Sequence, residues 1–143
     1  MSLVGSKKIN LNYELKESFE AGMELRGFEV KNLSQKQGSL EGARVIVRGG
    51  EVFVVGMYIP PYQAANTPAS YDPYRTRRLL LNKKEIIYIA MALEGTGLQV
   101  VPVSVYANKH IKMQIALAKK RNKADTRQYL REKDDRQQMR QVE

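Results

Sequence analysis

The chain has 143 residues, 24 Lys+Arg against 15 Asp+Glu, and a formal net charge of +9. The length fits one domain with a real core, and an apolar fraction of 43% is globular rather than disordered usage. No cysteine and a single histidine, His110, exclude a disulfide scaffold, a Cys-based zinc site, a thiol nucleophile and a two-histidine metal centre.

Met1 to Asn12 carries lysines but no apolar stretch of a secretory signal. No run approaches about 18 consecutive apolar residues, so no membrane span is expected. Residues 13–25 read as extended, with apolar positions at Tyr13, Leu15, Phe19, Met23 and Leu25, and Gly22 marks a bend or bulge. Residues 27–35 suggest a short helix from the spacing of Phe28, Val30, Lys31 and Leu33. Ala43 to Val47 and Glu51 to Ile59 are strands around Arg48-Gly49-Gly50, a hairpin signal between two β-branched runs. Residues 60–71 form a loop holding Pro60, Pro61 and Pro68.

Asp72 before Pro73 fits an N-cap followed by the first helical position, so helix is expected there. Asn82 followed by Lys83-Lys84-Glu85 is a capping box, and Ile86, Ile89, Ala90 and Leu93 extend it into a helix over 83–94 that Gly95 and Gly97 end. Residues 98–106 are a strand in which Pro102 requires an edge or a bulge. After a turn at 107–109 the last strand alternates, Ile111, Met113, Ile115 and Leu117 on one face, Lys112, Gln114 and Ala116 on the other. About five strands with two or three inserted helices predict a mainly β fold, an OB-like closed barrel; an open α+β sandwich is the alternative.

The charge is uneven. Residues 107–143 hold eleven cations against five acids, which is +6 of the +9. After Ala124 only Tyr129, Leu130, Met139 and Val142 are sizeable apolar side chains, too few to offset the ordering entropy of about twenty residues. The chain therefore divides into a domain at 1–118 and a basic tail at 119–143, disordered when free and helical once docked. Two basic clusters stand out. Arg75, Arg77, Arg78, Lys83 and Lys84, flanked by Tyr71 and Tyr74, read as a phosphate-contacting surface with aromatics for bases. Lys119, Lys120, Arg121 and Lys123 are placed to grip phosphates where the chain leaves the domain. No phosphate-binding loop, nucleophile elbow or dinucleotide fingerprint occurs, and the carboxylates at Glu14/Glu17/Glu20 and Asp134/Asp135 read as solvated charges. The expectation is a cytoplasmic, non-enzymatic protein with no cofactor, metal or membrane partner, suited to a polyanion and first of all to nucleic acid.

Five segments sharpen this. Phe19-Glu20-Ala21-Gly22, Gly27-Phe28-Glu29-Val30-Lys31-Asn32-Leu33, Gly50-Glu51-Val52-Phe53, Asp72-Pro73-Tyr74-Arg75-Thr76-Arg77-Arg78-Leu79-Leu80-Leu81 and Ala116-Leu117-Ala118-Lys119 occur in order, and the chain resembles the SmpB family of SsrA-binding proteins over residues 7 to about 135. The resemblance implies an OB-like barrel that binds the tRNA-like domain of tmRNA and carries it to the A site of stalled ribosomes, as a monomer. It implies that the basic tail reaches the decoding centre and the empty mRNA channel, against small-subunit rRNA. It also implies tmRNA contacts at Tyr13, Glu20, Leu80 and Lys112, with Lys31, Arg75, Arg77, Arg78, Lys119, Lys120 and Arg121 as further RNA-binding positions. Lys123, Asp125, Arg127 and Arg131 are the expected ribosome contacts of the tail. The family's tail motif reads Asp125-Thr126-Arg127 here, one cation fewer. A general OB-fold RNA-binding or ribosome-associated module without tmRNA specificity is the alternative function.

Overall fold

The computed structural model describes residues 2–5, 9–61 and 68–142; beyond Asn122 the side chains described are those of 124–135. Part of the proline-bearing loop, 62–67, and the side chains of Lys123, Met139 and Val142 thus lie outside the described residues. In chain order the elements are β1 (Ser2–Gly5), α1 (Ile9–Asn12), β2 (Tyr13–Met23), α2 (Gly27–Ser34), β3 (Arg44–Arg48), β4 (Glu51–Val55), β5 (Arg77–Leu80), α3 (Lys83–Ala92), β6 (Gln99–Asn108), β7 (His110–Lys120) and α4 (Lys123–Val142).

Among the described residues seven strands pair antiparallel in the order β1-β6-β7-β2-β5-β4-β3. Among the described residues the end strands β1 and β3 do not pair with each other, so the fold is mainly β with flanking helices and the pairing does not close the expected barrel. The sheet curls enough to bring β3 towards β6. The β3–β4 hairpin follows its sequence signal: Arg48 pairs with Glu51, and Gly49 and Gly50 both have positive φ, the geometry of a type I′ turn. Gly56, at φ 78, ends β4 at Val55, short of the expected Ile59.

The long strands β2 and β7 form the spine. One extra residue in β2, Lys16, separates the pairs Leu15↔Ala118 and Glu17↔Leu117. A one-residue slip reverses the facing of every later side chain. Phe19, Ala21 and Met23 therefore enter the main core with Met113, Ile115 and Leu117, while Tyr13 and Leu15 pack on the opposite face with Ile9, Val101, Val103 and Ala118. This second cluster explains why Ala118, on the face the alternation assigns away from the main core, is also buried. The bulge in the spine is at Lys16, not at Gly22, whose role is a close approach. A second irregularity, between Pro102 and Ser104 of β6, is the bulge that Pro102 requires.

Two helices differ from their sequence readings. Asp72 does not begin a helix: its Oδ1 accepts from the Tyr74 N–H at 2.9 Å and its carbonyl from the Arg75 N–H at 3.1 Å, a single turn before β5. Arg77 to Leu80 then pair with β4 and β2 as a strand. In α2 the buried residues are Glu29, Asn32 and Leu33, whereas Val30 is exposed and Phe28 half-buried, because the helix covers a polar network rather than an apolar wall. α3 has its capping box, with Asn82 Oδ1 accepting from the Glu85 N–H at 2.8 Å, and buries Ile89. Among the described residues no helix is long and apolar enough to cross a membrane.

Candidate nucleic-acid interface

The sheet brings three of the expected RNA-contacting residues to one place. Across four strands, one register row reads Leu80 of β5, Gly22 of β2, Lys112 of β7 and Tyr106 of β6. The next row reads Glu20 of β2, Gln114 of β7 and Ser104 of β6. Neighbouring positions of these strands, Ala21, Met23, Leu79, Met113 and Val105, are buried in the main core, so both rows lie on the outer face. There Leu80 is exposed, and a Cβ on Gly22 would stand 3.3 Å from the Leu80 Cβ. The missing side chain lets Leu80 lie over the strand and keeps the floor between Leu80 and Lys112 low.

The polar groups of the face are tied together. Lys112 Nζ donates to Glu20 Oε1 at 2.7 Å, and the Tyr106 hydroxyl donates to Glu20 Oε2. Gln114 Nε2 donates to Ser18 Oγ at 3.2 Å. Lys112, then the Tyr106 hydroxyl, hold the Glu20 carboxyl below its ordinary value. Burial, then Glu20 itself, push the Tyr106 hydroxyl up to about 12. Tyr106 went unnoticed in the sequence; its signal is the alternation that puts it in the same facing as Ser104, across from Lys112.

A second basic region lies at the other end of β2 and β7. Tyr13 pairs with Lys120 and Glu14 with Lys119, so β7 continues two residues past the expected boundary at 118. Lys119 and Lys120 are exposed, whereas Tyr13 is half-buried against the second apolar cluster. Arg121 is held: its N–H donates to the Asn12 carbonyl at 2.8 Å, its Nε to the Asn10 carbonyl at 3.0 Å, and its guanidinium sits 4.5 Å from the centre of the Tyr129 ring. Asn122 Oδ1 accepts from the Asp125 N–H at 2.8 Å and Asp125 Oδ2 from the Asn122 N–H at 3.3 Å, a capping box that starts α4. Asp125, expected to touch the ribosome, thus has a helix-starting role as well. Arg127 and Arg131 are exposed on α4. The Lys123 side chain lies outside the described residues.

Of the 75–78 cluster, which composition assigns to phosphate, Arg77 is inside the protein and Arg75 and Arg78 are ion-paired. Arg77 is wholly buried and cannot reach a phosphate. Its Nε donates to Glu29 Oε2 at 2.8 Å, its Nη1 to the Met57 carbonyl at 2.7 Å, and its Nη2 to the Tyr71 hydroxyl and the Pro73 carbonyl, both at 3.0 Å. Arg75 also engages Glu29, through Nε at 3.1 Å and through Nη2. Arg78 faces outward with Leu80 but is bound to Glu24 and Glu51, both at 2.9 Å, so its charge is already countered. The reason is compositional: a short strand crossing between α2 and the proline-rich loop needs donors for buried carbonyls, and arginine supplies five in a fixed fork. Lys31 is exposed on α2. His110 is exposed at the tip of the β6–β7 hairpin.

The arrangement offers cations for phosphates at Lys119 and Lys120 and a neutral, partly apolar face for bases or sugars at Glu20, Leu80, Lys112 and Tyr106. The family model described as "SmpB protein" matches residues 3–143. An "SsrA-binding protein" of Malacoplasma penetrans (strain HF-2) is 40% identical over 134 residues, covering 93% of this chain and 91% of the relative. One of the same description from Aromatoleum aromaticum (strain DSM 19018 / LMG 30748 / EbN1) is 38% identical over 135 residues, covering 94% of this chain and 91% of the relative. A chain from the solved structure described as "tmRNA-SmpB: a journey to the center of the bacterial ribosome" superposes with a TM-score of 0.68 at 30% identity, covering 89% of this chain and 93% of that one.

Proposed function

The chain belongs to the SmpB family, and from that premise we propose that it is an RNA-binding adaptor of trans-translation. It binds the tRNA-like domain of tmRNA and delivers it to the A site of stalled ribosomes, acting as a cytoplasmic monomer without catalysis of its own. The observation that carries this reading is the gathering of Glu20, Leu80 and Lys112, from three strands, on one exposed face. A folded RNA meets that face with base or ribose edges and meets Lys119 and Lys120 with phosphates. We read the curled sheet, with β3 brought towards β6, as the OB-like barrel of the family.

The tail is the second device. Of its described side chains only Arg121, Thr126 and Tyr129 are half-buried, and the rest are exposed. Little tertiary packing holds α4, and in proteins most of a helix's stability comes from such packing. The tail is disordered in the free chain and takes up the helix as Arg127 and Arg131 enter the decoding centre and mRNA channel, where rRNA phosphates supply the missing counter-charge.

A calorimetric titration of the full chain with a tmRNA tRNA-like fragment tests the assignment. Binding tighter than to an unrelated stem-loop, surviving competition by bulk tRNA, is expected. Equal affinity for both RNAs would leave only a general RNA-binding module.

A further inference from the structure

The outer face of β2, β6 and β7 carries a carboxylate that is held rather than solvated. Glu20 keeps 47% of its side chain exposed, yet both its oxygens are engaged, Oε1 by Lys112 Nζ and Oε2 by the Tyr106 hydroxyl. Each carboxylate oxygen offers two lone-pair positions. One on each oxygen is used within the face, and one on each is left for an incoming donor. Lys112 and Glu20 cancel in charge, so this face does not draw phosphate, and a carboxylate repels it. What it accepts is a neutral group with two donors side by side.

We propose that Tyr106 is a positioning residue for RNA recognition, holding the Glu20 carboxylate so that its two free acceptor positions receive the N1–H and N2–H edge of an unpaired guanine. That edge is the one among the four bases with two adjacent donors. Leu80, lying over Gly22 in the neighbouring row, supplies an apolar bed for the base plane. Tyr106 achieves this because its hydroxyl arrives from β6, on the far side of β7 from Glu20, while Lys112 arrives from between them. With Lys112 alone the carboxylate pivots about one contact; with both, its plane is fixed.

This inference rests on the tmRNA-binding reading and deepens it. The test is titration of the full chain and of Tyr106→Phe and Glu20→Gln with tRNA-like fragments in which each unpaired guanosine is replaced in turn by inosine, which lacks the N2 amine. At one position inosine is expected to weaken binding to the unaltered chain roughly tenfold, the scale of one hydrogen bond to a charged acceptor. Tyr106→Phe is expected to weaken binding to the unmodified fragment about threefold to tenfold and, like Glu20→Gln, to lose sensitivity to that one inosine. The thermal midpoints of the variants are expected to fall only slightly from that of the parent, because Glu20 is exposed and Tyr106 is half-buried, outside the main core. If the parent shows no preference for the fragment over an unrelated stem-loop, the reading beneath fails and this proposal with it. If it shows that preference but Tyr106→Phe keeps both full affinity and full inosine sensitivity, only the role of Tyr106 is overturned. If no inosine position matters, the guanine is overturned.

Discussion

Arg77 lies wholly inside the protein with its guanidinium on the Glu29 carboxylate, Nη2 2.7 Å from Oε2, and neither side chain is exposed. The two residues are 48 positions apart and come from β5 and α2. Glu29 also accepts from the Arg26 N–H at 2.8 Å and from Arg75, so this carboxylate pins the turn at 72–76, the start of β5 and the first turn of α2 to one another. β5 in turn presents Leu80 and Arg78 on the outer face, which makes the buried pair the support of the candidate interface.

Arg77→Ala is expected to destabilise the fold by about 3–5 kcal/mol, because the Met57 carbonyl loses the Arg77 donor, the Pro73 carbonyl is left with the Ile59 N–H, and Glu29 keeps only part of its counter-charge. At about 2–4 °C per kcal/mol for a domain of this size, the thermal midpoint falls by roughly 6–20 °C. In buffer where the variant is still folded, the salt dependence of RNA binding is expected to equal that of the parent. Lys119→Ala and Lys120→Ala are expected to do the reverse, leaving stability alone and each reducing the salt slope by about 1. A salt slope that drops in Arg77→Ala, with no loss of stability, would put Arg77 on the RNA after all.

The same network sets the pH limits. Burial alone raises the Glu29 carboxyl, but Arg75, the Arg26 N–H and Arg77 outweigh it and hold it below the ordinary 4.5. A depressed carboxyl contributes stability in full above 4.5 and loses it as pH falls through the lower folded value. Tyr71 behaves oppositely: burial and then Glu29 push it from 10.0 up to about 12, so its contribution is complete below 10.0 and is lost between there and about 12. Urea unfolding at stepped pH is expected to show both declines. Glu29→Gln flattens the buried part of the acid one, Glu14 and Glu20 being depressed at the surface, and Tyr71→Phe removes part of the alkaline one, which Tyr106 and Tyr88 share.

Gly22→Val is expected to weaken binding of the tRNA-like fragment more than it weakens the fold. The new Cβ would stand 3.3 Å from the Leu80 Cβ, and Leu80 has solvent to move into. The cost to stability is about 1 kcal/mol, less than for overpacking in a closed core. Displacement of Leu80 raises the floor beside Lys112, and titration is expected to show at least a threefold loss. Unchanged binding would remove Leu80 and Gly22 from the interface.

The strong local signals in the sequence correspond to real elements: the Gly49-Gly50 hairpin, the Asn82–Glu85 capping box and the alternation of Met113, Ile115 and Leu117 all depend on neighbours within a few residues. β5 was not legible, because Arg77 and Arg78 look like surface charge until Glu29, Glu24 and Glu51 are placed beside them. The reversal of facing at Lys16 also depends on β7, more than ninety positions away in the chain. The resemblance supplied Glu20, Leu80 and Lys112 individually; that they share a face, and that Tyr106 joins them, follows only from strand order. The basic tail was readable from charge alone, but its attachment through Arg121 to Asn10, Asn12 and Tyr129 was not.

That attachment changes where the tail is to be cut. Truncation after Ala118 removes the ladder partners of Glu14 and Tyr13 and the Arg121 N–H on the Asn12 carbonyl. At about 0.5–1.5 kcal/mol per lost hydrogen bond, it is expected to loosen α1 and the end of β2 and to lower stability measurably. Truncation after Asn122 keeps those contacts, and its unfolding midpoint and affinity for the tRNA-like fragment are expected to stay within error of the parent. Tagging of nascent chains on stalled ribosomes is expected to be lost in both, since both lack Arg127 and Arg131. Asn122→Ala in the full chain removes the side chain that starts α4, so forming that helix on the ribosome costs about 1 kcal/mol more; tagging is expected to weaken while fragment binding is unchanged. Normal tagging by the chain cut after Asn122 would show that the tail has no part in engaging the ribosome, and would leave the sheet face as the whole of the functional surface.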